Sequence, residues 1–316
     1  MDKLIRIGTR ESQLAVWQAT HVQQLLTNNG HQSELVFIKS EGDIDLQTPL
    51  YEMGVQGVFT RSLDIALLNN TIDIAVHSMK DVPTQLATGI IQSAVLTRAS
   101  YKDIFVYKNQ SVVADWKLSD AASISPSYSA GIIATSSIRR KAQWLNRYPN
   151  HTIENLRGNV NTRLRKVQEN NWNGAIFAAA GLERIELRPE NAVDLDWMLP
   201  APAQGAIMVV CREDDDISLN ACKSFNDSQT AICTKIERDF LRTLLGGCST
   251  PISALAQVKQ GNIYFRGNIL SVDGKEKVEI EKNIPLNDSE NAGTAAANEL
   301  LQMGADKIVN AIQYAK

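Results

Sequence analysis

Four arginine-bearing turns carry the strongest chemical signal in the sequence. "ATSSIRR" sets Thr135, Ser136 and Ser137 behind a short apolar run, with Arg139 and Arg140 directly after them. "NLRGNVNTRLRK" repeats the device. Arg157 and Gly158 follow a run, Asn161 or Thr162 is expected to cap the next helix, and Arg163 falls in that helix's first turn. Arg184 follows "GAIFAAAG" and Arg10 follows "LIRIG". Hydroxyls and free N–H groups at a helix N-terminus bind anions. Guanidinium groups pair bidentately with carboxylates and phosphates. Positive charge in a first turn opposes the helix dipole, so Arg139 and Arg140 require a compensating anion or solvent. Any one of these arginines alone reads as a surface residue. Four strand ends with arginine point to a polyanionic ligand, because open α/β sheets bind ligands at the carboxyl ends of their strands.

A second constellation is "AVHSMKDVPT", where His77, Ser78, Lys80 and Asp81 crowd one turn after the apolar run "IDIAV". Asp81 beside Lys80 reads either as a structural ion pair or as a carboxylate that steadies a cation or moves a proton. His77 alone reads as a satisfied buried histidine. The chain has four cysteines. Cys211 ends "AIMVVC" and reads as a buried strand residue; Cys222 and Cys233 read as helical packing residues. No CxxC pair or Cys/His spacing indicates zinc. Cys248, in "TLLGGCSTPIS", follows two glycines that permit unusual backbone. A packing thiol, a nucleophile and an attachment point all remain open for it, while a reducing compartment argues against a disulfide.

These groups must be positioned by a chain of 316 residues, long enough for two or three domains. "LIRIG", "ELVFI" and "IDIAV" read as strands. "ESQLAVWQATHVQQLLTNNG" has Ala15, Ala19, Val22 and Leu26 at helical spacing, and "GVFTRSLDIALLNN" is a second helix. The βαβα order predicts a parallel sheet with helices on both faces. Residues 40–57 are long, aperiodic and Gly-containing, which favours a lid. "AGIIA", "TIENL" and "GAIFAAAG" repeat the strand signal in the middle third, with helices over "SSIRRKAQWLNRY" and "NTRLRKVQEN" between them. The last third has a helix ending at "LRTLLGG", then three β runs with a hairpin signal at Asp273-Gly274, then a helical tail. The net charge of -3, and the lack of basic runs interleaved with aromatics, argue against a nucleic-acid partner. No start resembling a signal peptide and no bilayer-length apolar run is found, so the chain reads as cytoplasmic without a membrane partner.

"IGTRESQLAVWQA", "DIAVHSMKDVPT", "ATSSIRRKAQ", "LRGNVNTRL", "AAAGLERI", "PAPAQGA" and "LLGGCSTPI" occur in this order along most of the chain. Together they resemble the porphobilinogen deaminase (hydroxymethylbilane synthase) family. The resemblance implies two periplasmic-binding-protein-like (type II) α/β domains around a cleft, plus a C-terminal α+β domain. Domain 1 would take residues 1–99 and 198–216, domain 2 residues 100–197, and domain 3 residues 217–316. It implies a monomer that binds porphobilinogen and no metal. A dipyrromethane cofactor would be thioether-linked to Cys248 and held by Ser78, Lys80, Asp81, Thr135, Ser136, Ser137, Arg139, Arg140, Arg157, Gly158 and Arg163. Substrate would meet Arg10, Ser12, Phe59, Arg157, Arg163, Arg184, Gln204 and Gly205, with Asp81 as the catalytic carboxylate. Four porphobilinogens would be condensed head to tail with loss of ammonia, and the linear tetrapyrrole released by hydrolysis.

This chain departs from the family pattern in places. Gln56 stands where many bacterial members carry lysine and Arg61-Ser62 where they carry lysine-glutamate, and Glu52 stands where some members carry lysine. Ala203 replaces a common glycine, and Ser253 another small residue. The rival reading is a binding module on the same two-lobed fold, since fold alone does not settle function. Such a module has no use for the Gly-Gly-Cys loop, nor for Asp81 beside so many arginines.

Overall fold

A computed structural model describes residues 3–39, 60–118, 130–244 and 250–314. The expected lid, with Glu52 and Gln56, lies outside these residues, as do Phe59, Gly246, Gly247 and Cys248. The chain divides into two compact units. One holds the described residues up to 99 together with 205–232. The other holds the described residues of 100–204 and 233 onwards.

The first stretch alternates as its periodicity predicts: β1 (Ile5–Thr9), α1 (Gln13–Asn28), β2 (Ser33–Phe37), α2 (Arg61–Leu68), β3 (Ile74–Ser78) and then β4 (Ile90–Val95). The second begins with β5 (Asp103–Tyr107) and α3 (Ser111–Asp115). It continues through β6 (Ile132–Ala134), α4 (Ile138–Arg147), β7 (Thr152–Glu154), α5 (Val160–Glu169), β8 (Gly174–Ala178), α6 (Ala179–Glu183) and β9 (Ala192–Asp194). The chain then forms β10 (Ile207–Arg212), α7 (Asp216–Lys223) and α8 (Ser228–Thr243). Three long strands, β11 (Ile252–Lys259), β12 (Asn262–Leu270) and β13 (Lys277–Pro285), precede α9 (Ala292–Leu300) and α10 (Asp306–Tyr314).

The first sheet has the order β2-β1-β3-β10-β4. β1 is parallel to β2 and β3, but β10 is antiparallel to both β3 and β4. The parallel pairing expected of the first three strands holds, and β10 adds an antiparallel strand to them. β10 starts at the edge where β3 ends, with Ile207 opposite Ser78, so it can only run the other way. Its core joins Ile5 and Ile7 of β1 to Ala19, Val22 and Leu26 of α1 and to Val76 and Val209. The helical spacing read from the sequence thus marks the buried face of α1.

The second sheet repeats the pattern as β7-β6-β8-β5-β9, a parallel trio followed by an antiparallel strand and a last strand. β8 stops at Ala178, short of the expected strand through Gly181. Alanine is the strongest helix former, and the Ala-Ala pair begins α6 instead. Arg184 accordingly ends a helical turn rather than a strand.

The three long strands form an antiparallel sheet in the order β11-β12-β13. Phe265 meets Phe240 of α8 edge-on, with ring centres 5.1 Å apart. The β12–β13 turn contains the expected Asp273-Gly274, with Gly274 at φ +75°. A Cβ on Gly274 would lie 2.5 Å from the Ala142 carbonyl oxygen and 2.6 Å from the Asn146 nitrogen. Only glycine lets this tip approach α4, where Asn146 donates to the Gly274 carbonyl at 2.7 Å.

Candidate active site

In the first unit the parallel pairing of β1 and β3 brings their carboxyl ends side by side. Arg10 and Ser12 follow β1, and His77 to Asp81 end β3 or follow it. Ser12 caps α1, its hydroxyl accepting from the Ala15 N–H at 3.4 Å. Ser78 accepts at 2.9 Å from the side-chain amide of buried Gln18. A single 3-10 turn, Met79–Asp81, carries Lys80 and Asp81. Met79 is buried, and its N–H donates to the Ala206 carbonyl at 3.0 Å. That anchor leaves Lys80 and Asp81 half-buried on the same turn. His77 is buried, and its pKa is pushed down to about 4 by burial first and by the Arg10 charge second. It is therefore a neutral imidazole at neutral pH.

In the second unit the carboxyl ends of β6 and β7 lie together. Thr135 is buried. Ser136 accepts from the Leu156 N–H at 2.9 Å, and Ser137 caps α4 by accepting from the Arg140 N–H at 3.4 Å. Arg139 and Arg140 turn inward onto Asp103, which is fully buried. Arg139 Nη2 donates to Asp103 Oδ2 at 2.7 Å. Arg140 donates to Oδ1 from Nε at 3.1 Å and Nη2 at 2.7 Å. Gln204 Nε2 adds a fourth bond at 3.0 Å and also donates to the Tyr101 carbonyl at 2.8 Å. The anion that the helix dipole required is thus Asp103. Sequence reasoning missed it; its one local signal is an acid opening the apolar strand "DIFVY".

Burial works to raise the Asp103 carboxyl, but the two guanidinium charges hold it down to about 2. Burial pushes Arg139 below its ordinary value, with Asp103 opposing. Two cations on one anion leave an excess positive charge in a buried place. Among the described residues Arg139 Nε is buried with no hydrogen-bond partner.

Arg157 is buried on the β7–α5 turn. Gly158 beside it has φ +114°, and a Cβ there would meet Thr162 Cγ2 at 2.7 Å. Asn159, not Asn161 or Thr162, caps α5 by accepting from the Thr162 N–H at 2.9 Å. The cap falls earlier because φ +114° at Gly158 turns the chain sooner. Arg163 Nε donates to the Gly158 carbonyl at 2.7 Å, which ties the first turn of α5 to the loop. Arg184 is lowered to about 10 by burial, with Glu183 opposing in part.

The segment before β10 is shaped by two left-handed residues, Ala203 at φ +61° and Gly205 at φ +88°. Ala203 stands at the common glycine of the motif, and its backbone shows why glycine suits that place. Its N–H donates at 2.6 Å to Glu237 of α8, whose other oxygen accepts from the Ala256 N–H at 2.7 Å. Glu237, fully buried, is a second residue that sequence reading missed. Cys211, Cys222 and Cys233 are buried, and among the described residues none of them forms a disulfide. Burial pushes the Cys211 and Cys222 thiols up to about 11 and about 12, which makes them unreactive packing groups. Among the described residues no helix is long and apolar enough to cross a membrane.

Two family models cover the chain. "Porphobilinogen deaminase, dipyromethane cofactor binding domain" matches residues 5–220 and "Porphobilinogen deaminase, C-terminal domain" matches residues 231–302. The chain belongs to the porphobilinogen deaminase family. It is 40% identical to the porphobilinogen deaminase of Syntrophotalea carbinolica over 312 residues, covering 98% of this chain and 96% of that one. It is 37% identical to that of Chlorobium phaeobacteroides, covering 99% of each. A nutrient-binding protein from Burkholderia cenocepacia bound to methionine is also similar, at 13% identity and a TM-score of 0.43, over 72% of this chain and 93% of that one. That last likeness is too loose to carry any inference. A dipyrromethane built from two porphobilinogen units carries two carboxylates per ring. The excess charge at Arg139 and Arg140, the unpartnered Arg139 Nε and the burial-depressed Arg184 fit such a group.

Proposed function

We propose that this chain is a hydroxymethylbilane synthase in which Cys248 anchors a dipyrromethane primer, the arginines receive carboxylates and Asp81 handles protons. The observation that carries this reading is the buried cluster of two guanidiniums on Asp103, within the residues matched to the cofactor-binding family domain. Arg139, Arg140, Arg157 and Arg163, with Thr135, Ser136, Ser137 and Gly158, hold the cofactor carboxylates, aided by Ser78 and Lys80. Arg10, Ser12, Phe59, Arg184, Gln204 and Gly205 bind the incoming porphobilinogen.

The cofactor, when bound, supplies a pyrrole α-carbon as the first nucleophile. Porphobilinogen must lose its aminomethyl nitrogen as ammonia, which leaves a methylene-pyrrole cation. The attacking α-carbon forms a carbon–carbon bond to that methylene and then gives up its proton. Asp81, half-buried on its turn, stabilises both cationic stages through the pyrrole N–H groups and accepts the proton. Four such condensations in all build the chain; release then breaks the bond between the primer and the methylene of the first-added unit, returns a proton to the primer's α-carbon, and adds water to that methylene to give the linear tetrapyrrole. The enzyme is a transferase of tetrapyrrole synthesis; we assign it to the cytoplasm as a monomer. Functionally, residues 1–99 with 198–216, residues 100–197 and residues 217–316 act as three domains.

Intact mass spectrometry of wild type and Cys248→Ser tests the reading. The wild type is expected to be heavier than its sequence by two condensed pyrrole units, and the variant unmodified. An unmodified but active wild type would overturn it. A modified protein without turnover would point to a degenerate paralogue that keeps the cofactor but has lost the reaction.

A further inference from the structure

Gln143 lies on α4 one turn beyond Arg139 and Arg140, and it is buried. Its side-chain amide makes three bonds. Nε2 donates to the Leu199 carbonyl at 2.9 Å and to the Ser253 hydroxyl at 3.0 Å, and Oε1 accepts from the Leu199 N–H at 2.8 Å. The same Leu199 carbonyl accepts from Arg139 Nη1 at 2.7 Å. Ser253 is fully buried on β11, opposite Asn268 of β12. One amide therefore joins the arginine helix, the strap that leads to Gln204 and the strand that follows the cysteine loop. Apolar packing is non-directional and tolerates sliding. A buried amide with three fixed partners does not, because a slip leaves buried donors and acceptors unpaired.

We propose that Gln143 is a positioning residue for the condensation reaction. Through Ser253 it sets the start of β11 against the first turn of α4, and so holds the carboxylate-binding arginines in register with the segment that carries the cofactor. This rests on the reading that Cys248 holds the cofactor. Gln143 touches no reacting atom. The contact of Asn146 with Gly274 holds α4 to the same sheet independently, so loss of the Gln143 bonds leaves the two elements docked but imprecise.

The test uses the loaded holoenzymes of wild type, Gln143→Met, Ser253→Ala and the double variant. Gln143→Met keeps the side chain's length and removes all three bonds. Each single variant is expected to load cofactor fully and to lower kcat at least about fivefold with KM within about twofold of wild type. The double variant should be no slower than Gln143→Met, since the two share one bond. Stalled enzyme–substrate complexes should accumulate in mass spectra of the variants during turnover. Wild-type kcat and KM in all variants, with only a lowered unfolding temperature, would overturn the proposal. So would multiplied losses in the double variant. If wild type itself carries no cofactor at Cys248, the functional reading fails instead, and the two failures are distinguishable.

Discussion

Arg140 grips a single oxygen of Asp103 with two nitrogens, Nε at 3.1 Å and Nη2 at 2.7 Å, while Arg139 takes the other oxygen. The carboxylate is fully buried and forms the electrostatic floor of the arginine site. Asp103→Asn keeps the shape and removes the charge, so two buried guanidiniums lose their counter-ion. We expect a loss of about 3–5 kcal/mol of stability, measured by urea unfolding. A loss under about 1 kcal/mol would show that water, rather than Asp103, neutralises the pair.

Asp81 sits on a turn anchored by buried Met79, whose N–H donates to the Ala206 carbonyl at 3.0 Å. Asp81→Ala should leave the thermal transition and far-UV spectrum unchanged while lowering tetrapyrrole formation by about 100-fold or more. Nearly intact turnover would reduce Asp81 to a structural acid.

His77 is held neutral by burial, with a pKa of about 4 against 6.5 when unfolded. Between those values the unfolded chain binds a proton that the native one refuses. Stability is therefore complete above pH 6.5 and falls as the pH drops towards 4, by about 3 kcal/mol. Asp103 adds a further loss between 3.8 and about 2, because its folded pKa is depressed. Stability curves of wild type and His77→Met should differ in slope between pH 6.5 and 4. Parallel curves would show that His77 titrates normally.

Gly158 combines φ +114° with a Cβ position only 2.7 Å from Thr162 Cγ2. Gly158→Ala is expected to cost about 1–3 kcal/mol and to weaken cofactor loading, because Arg157 precedes the distorted bond. Adding Thr162→Ala should recover the steric part and leave the backbone part. Full recovery in the double variant, followed by calorimetry, would show that φ at this position imposes no strain of its own.

Local pattern was legible where local physics decides. Ala19, Val22 and Leu26 mark the buried face of α1 because a helix repeats every 3.6 residues. Ser137 caps α4 because its hydroxyl reaches an N–H three residues on. The cap of α5 was misplaced by two residues or more because it depends on φ at Gly158, which composition does not report. β10 was recognisable as a strand, but not its direction, since direction depends on where in the sheet the strand enters.

The sequence by itself determined the family, through seven motifs in order, and the residue types that can hold carboxylates and move a proton. It also showed that cations in the first turn of α4 need a compensating anion or solvent. Only the tertiary structure decided which anion: Asp103, 36 residues before Arg139. Only it paired Gln143 with Ser253, 110 residues away, and Glu237 with Ala203 and Ala256. The reason is physical. Periodicity and capping act within a turn or two of chain, whereas a buried charge or amide is satisfied by whatever the packing brings within 3 Å.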